Sequence, residues 1–261
     1  MPAAYAHYRF GKEIIPTMPA DVRGPVLRNR SLFDMGLQGP DFLFYHHFFR
    51  QTPLSSLGST YHQSSGAAFF TRVCSLLHRH PCEASLAYVH GLLMHYCLDS
   101  HCHPLVYAMT DDTELGHSEL ESEFDRFLLT QDGCKKPHEF NMGRYMKLKN
   151  DEFDTVAAFF PEITGKDAAA CIHNMALAHR LLTIPNVHGA IVKFTQFAGG
   201  KTSGRVMTIG ANPKCDHLNQ KLLALYHQAL SHFPAYLEQL NAHLAYGEPF
   251  GTDFSVNFDR G

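Results

Sequence analysis

Residues 83–99 hold the most continuous apolar stretch of the chain, with apolar side chains at most positions from Leu86 to Leu98. A helix formed by this stretch has no broad polar face, so we expect it to be buried in the core. His95 and Asp99 interrupt the stretch four residues apart, which puts both on one face of the helix. Because a buried charge must be paired or bound to a metal, these two residues are the first candidate metal site.

Further candidate ligands follow this helix. Pro104 disfavours helical backbone at the residue before it, so we expect His103 to lie just past the helix end, free to turn toward a second site. His117 and Glu121 repeat the four-residue spacing and offer one imidazole and one carboxylate, both of which are zinc ligands. Ser118 and Glu121 also match a capping box at a helix start. The sequence leaves both interpretations of Glu121 open.

Helical spacing of apolar residues recurs in the second half of the chain. It predicts helices at about 150–159 and 166–183, and over 215–247 either one helix or two that are broken near Pro234. Strand signals are scarce throughout. The predicted fold class is therefore all-α, with many helices.

The chain length allows one large domain, and the composition is that of a globular protein, with 45% apolar and 18% charged residues. We expect a single domain over 1–261. Within it, we expect residues 1–128 to form a metal-binding helical core and residues 129–261 to add helices that pack on that core, with a glycine-rich loop at 198–213. The tail 247–261 is rich in glycine and phenylalanine and is expected to wrap the surface.

Charge and cysteine content narrow the classes of function. The net charge of −3 and the pI near 6.7 show no excess of positive charge, so we expect neither a stable nucleic-acid partner nor binding to an anionic membrane surface. No stretch reaches the roughly 18 apolar residues of a membrane span, and the first residues lack a signal-peptide pattern. The seven cysteines form no Cys-x-x-Cys pair, which favours free thiols in a reducing compartment. We therefore expect a cytoplasmic protein.

Nineteen histidines are the unusual feature of the composition, and imidazole is the commonest metal-binding side chain. Taken singly, the early candidates have ordinary explanations. His7 suits a surface position, Asp41 follows Gly-Pro as a turn or helix-cap residue would, and His62 suits the polar start of a helix. His46 and His47 are adjacent, so at most one can face a common site, and both are interpreted as structural.

Taken in order, these candidates resemble the metal site of the zinc-dependent phospholipase C family. The metal ligands of that family occur along the chain in the order His, Asp, His, His-x-x-x-Asp, His and His-x-x-x-Glu. HYCLDSHCHP at 95–104 and HSELE at 117–121 carry the specific part of the resemblance, which covers roughly residues 1–128. The single-strand-specific zinc nucleases share a related all-helical core.

The resemblance implies two or three zinc ions per chain and a set of eight metal ligands: His7, Asp41, His62, His95, Asp99, His103, His117 and Glu121. It also implies a catalytic role for Asp41 as the general base, or as the group that orients the attacking water.

The resemblance further implies how these ligands divide among the ions. A second ion is expected at His103, His117 and Glu121, and a third at His7 and Asp99. The first ion is expected to have four ligands: Asp41, His62, His95 and Asp99.

The chain departs from the secreted members of the family in two ways that leave alternatives open. They place an aromatic residue at the mature N-terminus, where its amino group and carbonyl bind the third metal. This chain begins with Met1 and Pro2, which leaves the occupancy of that third site open. The interval between Asp99 and His103 is two residues shorter than in those enzymes, which makes His101 a rival ligand to His103.

A cluster of metals can grip phosphate oxygens, lower the pKa of bound water toward about 7 and stabilise charge on the attacking and leaving oxygens. The expected function is therefore a zinc-dependent hydrolase of phosphate esters, phospholipase C-like, acting on a phospholipid or a small soluble ester. One alternative with the same site is a nuclease, or a small-molecule phosphodiesterase or phosphomonoesterase. Another is a non-catalytic, metal-stabilised binding protein. The substrate, the native metal and the oligomeric state are not determined by the sequence.

Overall fold

The helix Glu83–Asp112 is the central element of the fold, and helices from both halves of the chain pack against it. Every residue of this helix from Ala87 to Asp99 is buried, as the apolar pattern predicts. The computed structural model of the protein describes the following residues: 4–47, 50–79, 81–112, 114–184, 187, 189 and 206–259.

Ten α-helices lie within the described residues: α1 Ala4–Ile14, α2 Ala20–Arg28, α3 Arg30–Gly36, α4 Pro53–Gln63, α5 Gly66–Arg79, α6 Glu83–Asp112, α7 His117–Gln131, α8 Glu152–Ala157, α9 Gly165–Leu181 and α10 Asp216–Tyr246. Short 3-10 helices connect some of them: Ile15–Thr17, Gly39–Tyr45, Pro137–Glu139, Met142–Tyr145, Pro213–Cys215 and Thr252–Phe254.

The described residues contain no β-strand, only an isolated bridge between Ser65 and Asn257, and the predicted all-α class is confirmed. The three helices predicted in the second half are present as α8, α9 and α10, and α10 continues through Pro234 as one helix. Of the predicted loop at 198–213, residues 198–205 lie outside the described residues. Among those described, no helix combines the length and apolar character that crossing a bilayer requires.

Helix α6 also continues through a proline, Pro104, so the prediction that it ends before this residue is wrong. Cys102 and Val106 are buried on either side of the proline, and their packing outweighs its local preference. His103 therefore lies within α6, one helical turn after Asp99 and on the same face.

Most described residues of the tail 247–259 are exposed or half-buried, as expected for a segment that wraps the surface, but two of its aromatic rings are buried. Phe254 and Phe258 have exposed fractions of 0% and 1%. Their rings pack against Tyr96 of α6, with centroids 5.4 Å and 4.8 Å away, and Phe254 also contacts Phe70. The burial of these two large rings anchors the tail against α6.

Two glycines bring α3 and α6 into backbone contact. A Cβ on Gly36 would overlap the carbonyl oxygen of Tyr88, and a Cβ on Gly91 would overlap that of Phe33. Because neither glycine has a Cβ, the two helices cross closely. Helix α3 leads by a short turn into the 3-10 helix that carries Asp41, so this crossing sets the position of Asp41 relative to α6.

The start of α1 is fixed by a carboxylate from α7. Asp125 accepts hydrogen bonds from the backbone N–H groups of Tyr5 and Ala6, at 2.9 Å and 2.8 Å. The first turn of a helix leaves such donors without an intrahelical partner, and burial raises the pKa of Asp125 although both hydrogen bonds lower it. The contact holds His7, the next residue of α1, beside the central helix.

His90, inside α6, generates a prediction about stability. Its exposed fraction is 1%, neither ring nitrogen has a hydrogen-bond partner among the described residues, and burial lowers its pKa from 6.5 to about 4. Between these values the unfolded chain takes up a proton and the folded chain does not. The free energy of unfolding therefore falls as the pH drops from above 6.5 to 4, by about 3 kcal/mol for this group.

We expect His90→Leu to be more stable than wild type at pH 7, because it removes a buried imidazole without partners. Its advantage should widen as the pH falls to 4. Urea unfolding of the metal-free proteins at several pH values measures this difference, with His217→Leu on the exposed face of α10 as the control. Parallel profiles for wild type and His90→Leu would contradict the assignment of a neutral, buried His90.

Candidate metal centre

Three groups of histidine and acidic side chains lie side by side around one cavity. Each residue offers one potential ligand atom, and the ligand atoms of a group all lie within 4.8 Å of one another. The groups contain all eight ligands that the sequence analysis named: His7, His95 and Asp99; Asp41, His62 and His95; and His103, His117 and Glu121.

Five elements supply these side chains. Helix α1 carries His7, the 3-10 helix Gly39–Tyr45 carries Asp41, and α4 carries His62 in its last turn. The central helix α6 contributes three residues at four-residue intervals, and α7 contributes two with the same spacing, so each set lies on one helical face.

The Asp99 carboxylate lies where the groups meet. It is 3% exposed, and its oxygens face four imidazoles. The distances to their Nε2 atoms are 2.9 Å for His95, 3.2 Å for His7, 3.6 Å for His103 and 3.9 Å for His62. Burial alone would raise the pKa of Asp99, but the imidazoles of His103, His95 and His7 hold it well below its usual range. Asp99 is therefore an ionised carboxylate inside the protein.

His95 gives the test of whether a metal ion fits. Its Nε2 lies 2.9 Å from Asp99 Oδ2, yet neither atom has a hydrogen-bond partner among the described residues. The other ring nitrogen, Nδ1, donates to the carbonyl oxygen of Leu37 at 3.1 Å, so in the neutral ring Nε2 carries the lone pair that can ligate a metal. A buried imidazole nitrogen and a buried carboxylate oxygen that face each other without a hydrogen bond form a pair that a cation can bind, and nitrogen with oxygen is a ligand set that zinc takes.

Three of the imidazoles are oriented by backbone carbonyls. In each, Nδ1–H donates to a carbonyl oxygen, which directs Nε2 toward the cavity. The pairs are His62 with Gly58 at 2.7 Å, His95 with Leu37 at 3.1 Å and His103 with Phe258 at 2.7 Å. Metal-ligating histidines usually have such a partner on the second nitrogen, because it fixes the tautomer and increases the basicity of the ligating atom.

The third group is built on the Glu121 carboxylate. Its Oε1 lies 2.9 Å from His103 Nε2 and 3.1 Å from His117 Nε2. Burial alone would raise the pKa of Glu121, but the imidazoles of His117 and His103 hold it well below its usual range. Helix α7 begins at His117 with Gly116 as its N-cap and no side-chain cap, so the capping box of Ser118 and Glu121 is not formed.

The structure separates His103 from its rival His101. His103 belongs to the third group, whereas the Nδ1 of His101 bonds to the carbonyl oxygen of Cys97 at 2.7 Å. The Nε2 of His101 lies 3.1 Å from Nδ1 of His232 on α10, outside the three groups. The difference follows from the continuation of α6 past Pro104, which keeps His103 on the face of Asp99.

Asp41 borders the cavity and is 15% exposed at its side chain. Its Oδ1 lies 3.1 Å from His62 Nε2. Burial alone would raise the pKa of Asp41, but the hydrogen bond and the charge of His62 lower it to about 2. Asp41 is therefore ionised at neutral pH.

The cavity has a volume of about 190 Å³. Besides candidate metal ligands, it is lined by residues that the sequence did not indicate. These are Phe44, Ser59, Gln63, Tyr107 and Asp259. Tyr107 follows His103 by one helical turn and Gln63 follows His62 directly, so spacing could have identified both. Asp259 is far from every other site residue in the sequence, and no local pattern indicates it.

Comparison with known proteins supports this interpretation of the site. A family model described as zinc dependent phospholipase C matches residues 6–165, which is more than half of the 261-residue chain and includes all eight candidate ligands. No curated protein and no solved structure matches the chain significantly.

Metal content tests the assignment of the third group. We expect His103→Ala to bind about one zinc fewer per chain than wild type, because it removes a ligand that shares Glu121 with His117. His101→Ala is the matched control, since it removes a histidine of the same helix, two residues away. Elemental mass spectrometry after zinc loading and desalting gives the stoichiometry. Equal losses in the two variants would contradict the assignment.

Proposed function

Since the chain belongs to the zinc-dependent phospholipase C family, we propose that it hydrolyses phosphate esters at a multinuclear zinc centre, with water as the nucleophile. One observation carries the proposal: three groups of zinc-ligand side chains adjoin a single cavity, and two of them share His95. Ions bound this close together can act on the same phosphate, as in two-metal hydrolases.

The charge of the cavity supports a metal-dependent reaction. Among the residues that the structure describes, no lysine or arginine lines it, whereas four carboxylates do: Asp41, Asp99, Glu121 and Asp259. When the four histidines of the lining act as neutral metal ligands, the carboxylates leave this wall negative, and it would repel the anion of a phosphate ester unless metal is bound. Bound zinc would supply the missing positive charge, polarise the phosphoryl oxygens and lower the pKa of a coordinated water toward about 7.

Asp41 is the residue to which we assign the handling of the attacking water. Its carboxylate borders the cavity and is held by His62. Because its pKa is about 2, it is a weak proton acceptor at neutral pH, which favours orienting the water over removing its proton. Its second role is as a ligand of the group that contains His62 and His95.

The cavity also favours catalysis over a purely structural metal site. A structural zinc site is closed by four protein ligands, whereas a catalytic site keeps a coordination position open. Here the ligand groups face about 190 Å³ of space, enough for water and a phosphate group. A non-catalytic, metal-stabilised binding protein is the less supported alternative.

Within the phosphate esters, we propose a phosphodiester as the substrate class, with a phospholipid or a small soluble diester as its source. The family match favours the diester, because the bond that a phospholipase C cleaves is one of the two ester bonds of a phosphodiester.

Asp41→Asn tests the catalytic assignment. We expect it to keep its zinc, because an amide oxygen can still ligate, and to lose about a hundredfold in kcat, the cost of a misplaced reacting group. Chromogenic phosphate esters assayed with added zinc give kcat, and mass spectrometry gives metal content. Asp151→Asn, which removes an exposed carboxylate elsewhere, is the control. Unchanged turnover in Asp41→Asn would remove Asp41 from the mechanism.

The preference for diesters can be measured on the zinc-loaded wild type. We expect kcat/KM to be on the order of tenfold higher for bis(4-nitrophenyl) phosphate than for 4-nitrophenyl phosphate, a difference of about 1.4 kcal/mol. The hydrolysis rate of the monoester in zinc buffer without protein is measured separately and subtracted. A higher kcat/KM for the monoester would refute the assignment of a diester substrate.

A further inference from the structure

The C-terminal tail reaches the metal centre through the turn between α4 and α5. Gly66 N–H donates to the carbonyl oxygen of Val256 at 2.8 Å, and Phe258 N–H donates to the carbonyl oxygen of His62 at 3.0 Å. The tail is thus paired with the backbone of a candidate metal ligand. It lies outside residues 6–165, the range that the family model matches.

Tyr96 holds this tail from the central helix. Its hydroxyl lies 2.9 Å from the carbonyl oxygen of Asp253 and 3.0 Å from that of Val256, and donates to them. Gly66 leaves room for the ring, since a Cβ there would overlap it. Tyr96 directly follows His95, so the contact with the tail and a candidate metal ligand occupy adjacent positions of α6.

The tail in turn orients His103. The carbonyl oxygen of Phe258 accepts the Nδ1–H of His103 at 2.7 Å, and the Asp259 carboxylate lies 4.0 Å from the same nitrogen. With Nδ1 bound to this carbonyl, Nε2 faces Oε1 of Glu121 at 2.9 Å, which is the position from which it would ligate a metal shared with Glu121. Of the partners described for the oriented imidazoles, this carbonyl is the most distant in sequence, 155 residues from its histidine.

We propose that the segment 251–259 is a positioning element of the metal centre, clamped by Tyr96 so that the Phe258 carbonyl orients His103 for metal binding. The inference rests on the zinc centre of the proposed function and adds a segment that the family match does not include. Loss of such an outer partner typically weakens metal binding about tenfold to a hundredfold. By linkage, a metal held by His103 stabilises the docked tail to the same extent.

Tyr96→Phe is the main test, because it removes the hydroxyl and keeps the ring. The matched control is Tyr236→Phe: Tyr236 belongs to the same aromatic cluster, but its hydroxyl lies 3.3 Å from Ser100 Oγ and does not contact the tail carbonyls. Competition with a chromophoric chelator measures zinc affinity. We expect one zinc equivalent to bind about tenfold to a hundredfold more weakly in Tyr96→Phe, and wild-type affinities in the control.

A chain that ends at Asn257 extends the test, since it lacks the Phe258 carbonyl altogether. It should weaken the same zinc equivalent at least as much as Tyr96→Phe does. In a His117→Ala background, which already lacks the third group, Tyr96→Phe should not weaken the remaining zinc further. This double-mutant comparison separates a specific effect on the third group from general damage.

Hydrogen exchange of residues 251–259 gives a readout that is independent of affinity and activity. Zinc should slow exchange of this segment in wild type and not in His117→Ala. The unfolding temperature of each metal-free variant, compared with that of metal-free wild type, shows how much of its change in zinc affinity comes from weakened packing.

The inference is overturned if the shortened chain keeps wild-type affinity for every equivalent, or if all equivalents weaken equally. A wild-type chain that binds no zinc would overturn both this inference and the proposed function. Zinc binding without phosphate-ester hydrolysis would refute the proposed function alone, because the affinity and exchange measurements do not depend on turnover.

Discussion

The structure depends on one buried charge, the carboxylate of Asp99 in the middle of an apolar helix. Such a charge is costly inside a protein unless cations or hydrogen-bond donors surround it. Here imidazoles from α1, α4 and α6 converge on it within 3.9 Å. The contacts between the helices that form the metal centre therefore follow from the requirement to compensate Asp99.

Much of the fold and of the site was accessible from the sequence. The absence of a polar face from residue 86 to residue 98 predicted a buried central helix. Four-residue spacings predicted which side chains share a face, and these predictions need only helix geometry. The order of ligand types along the chain identified the distant members, His7, Asp41 and His62, which no local pattern marks as ligands. Their convergence is a structural fact, and their metal binding is still a prediction.

One local prediction was wrong because tertiary packing outweighed a local preference: Pro104 was expected to end α6, but buried neighbours on both sides hold the helix together. The capping box of Ser118 and Glu121, which the sequence left open, is not formed, because α7 starts earlier, at His117. The contribution of the tail was inaccessible for another reason: the Phe258 carbonyl is a backbone group, and its partnership with His103 depends on the three-dimensional path alone.

Helix α7 is a second link, besides Asp99, between two parts of the metal centre. His117 and Glu121 face the third group, and Asp125, one turn later, binds the first N–H groups of α1 and so holds His7. A shift of α7 along its axis would displace the ligands of one group and the support of another together. This face of α7 is therefore expected to tolerate little variation in sequence, including at Asp125, which ligates nothing itself.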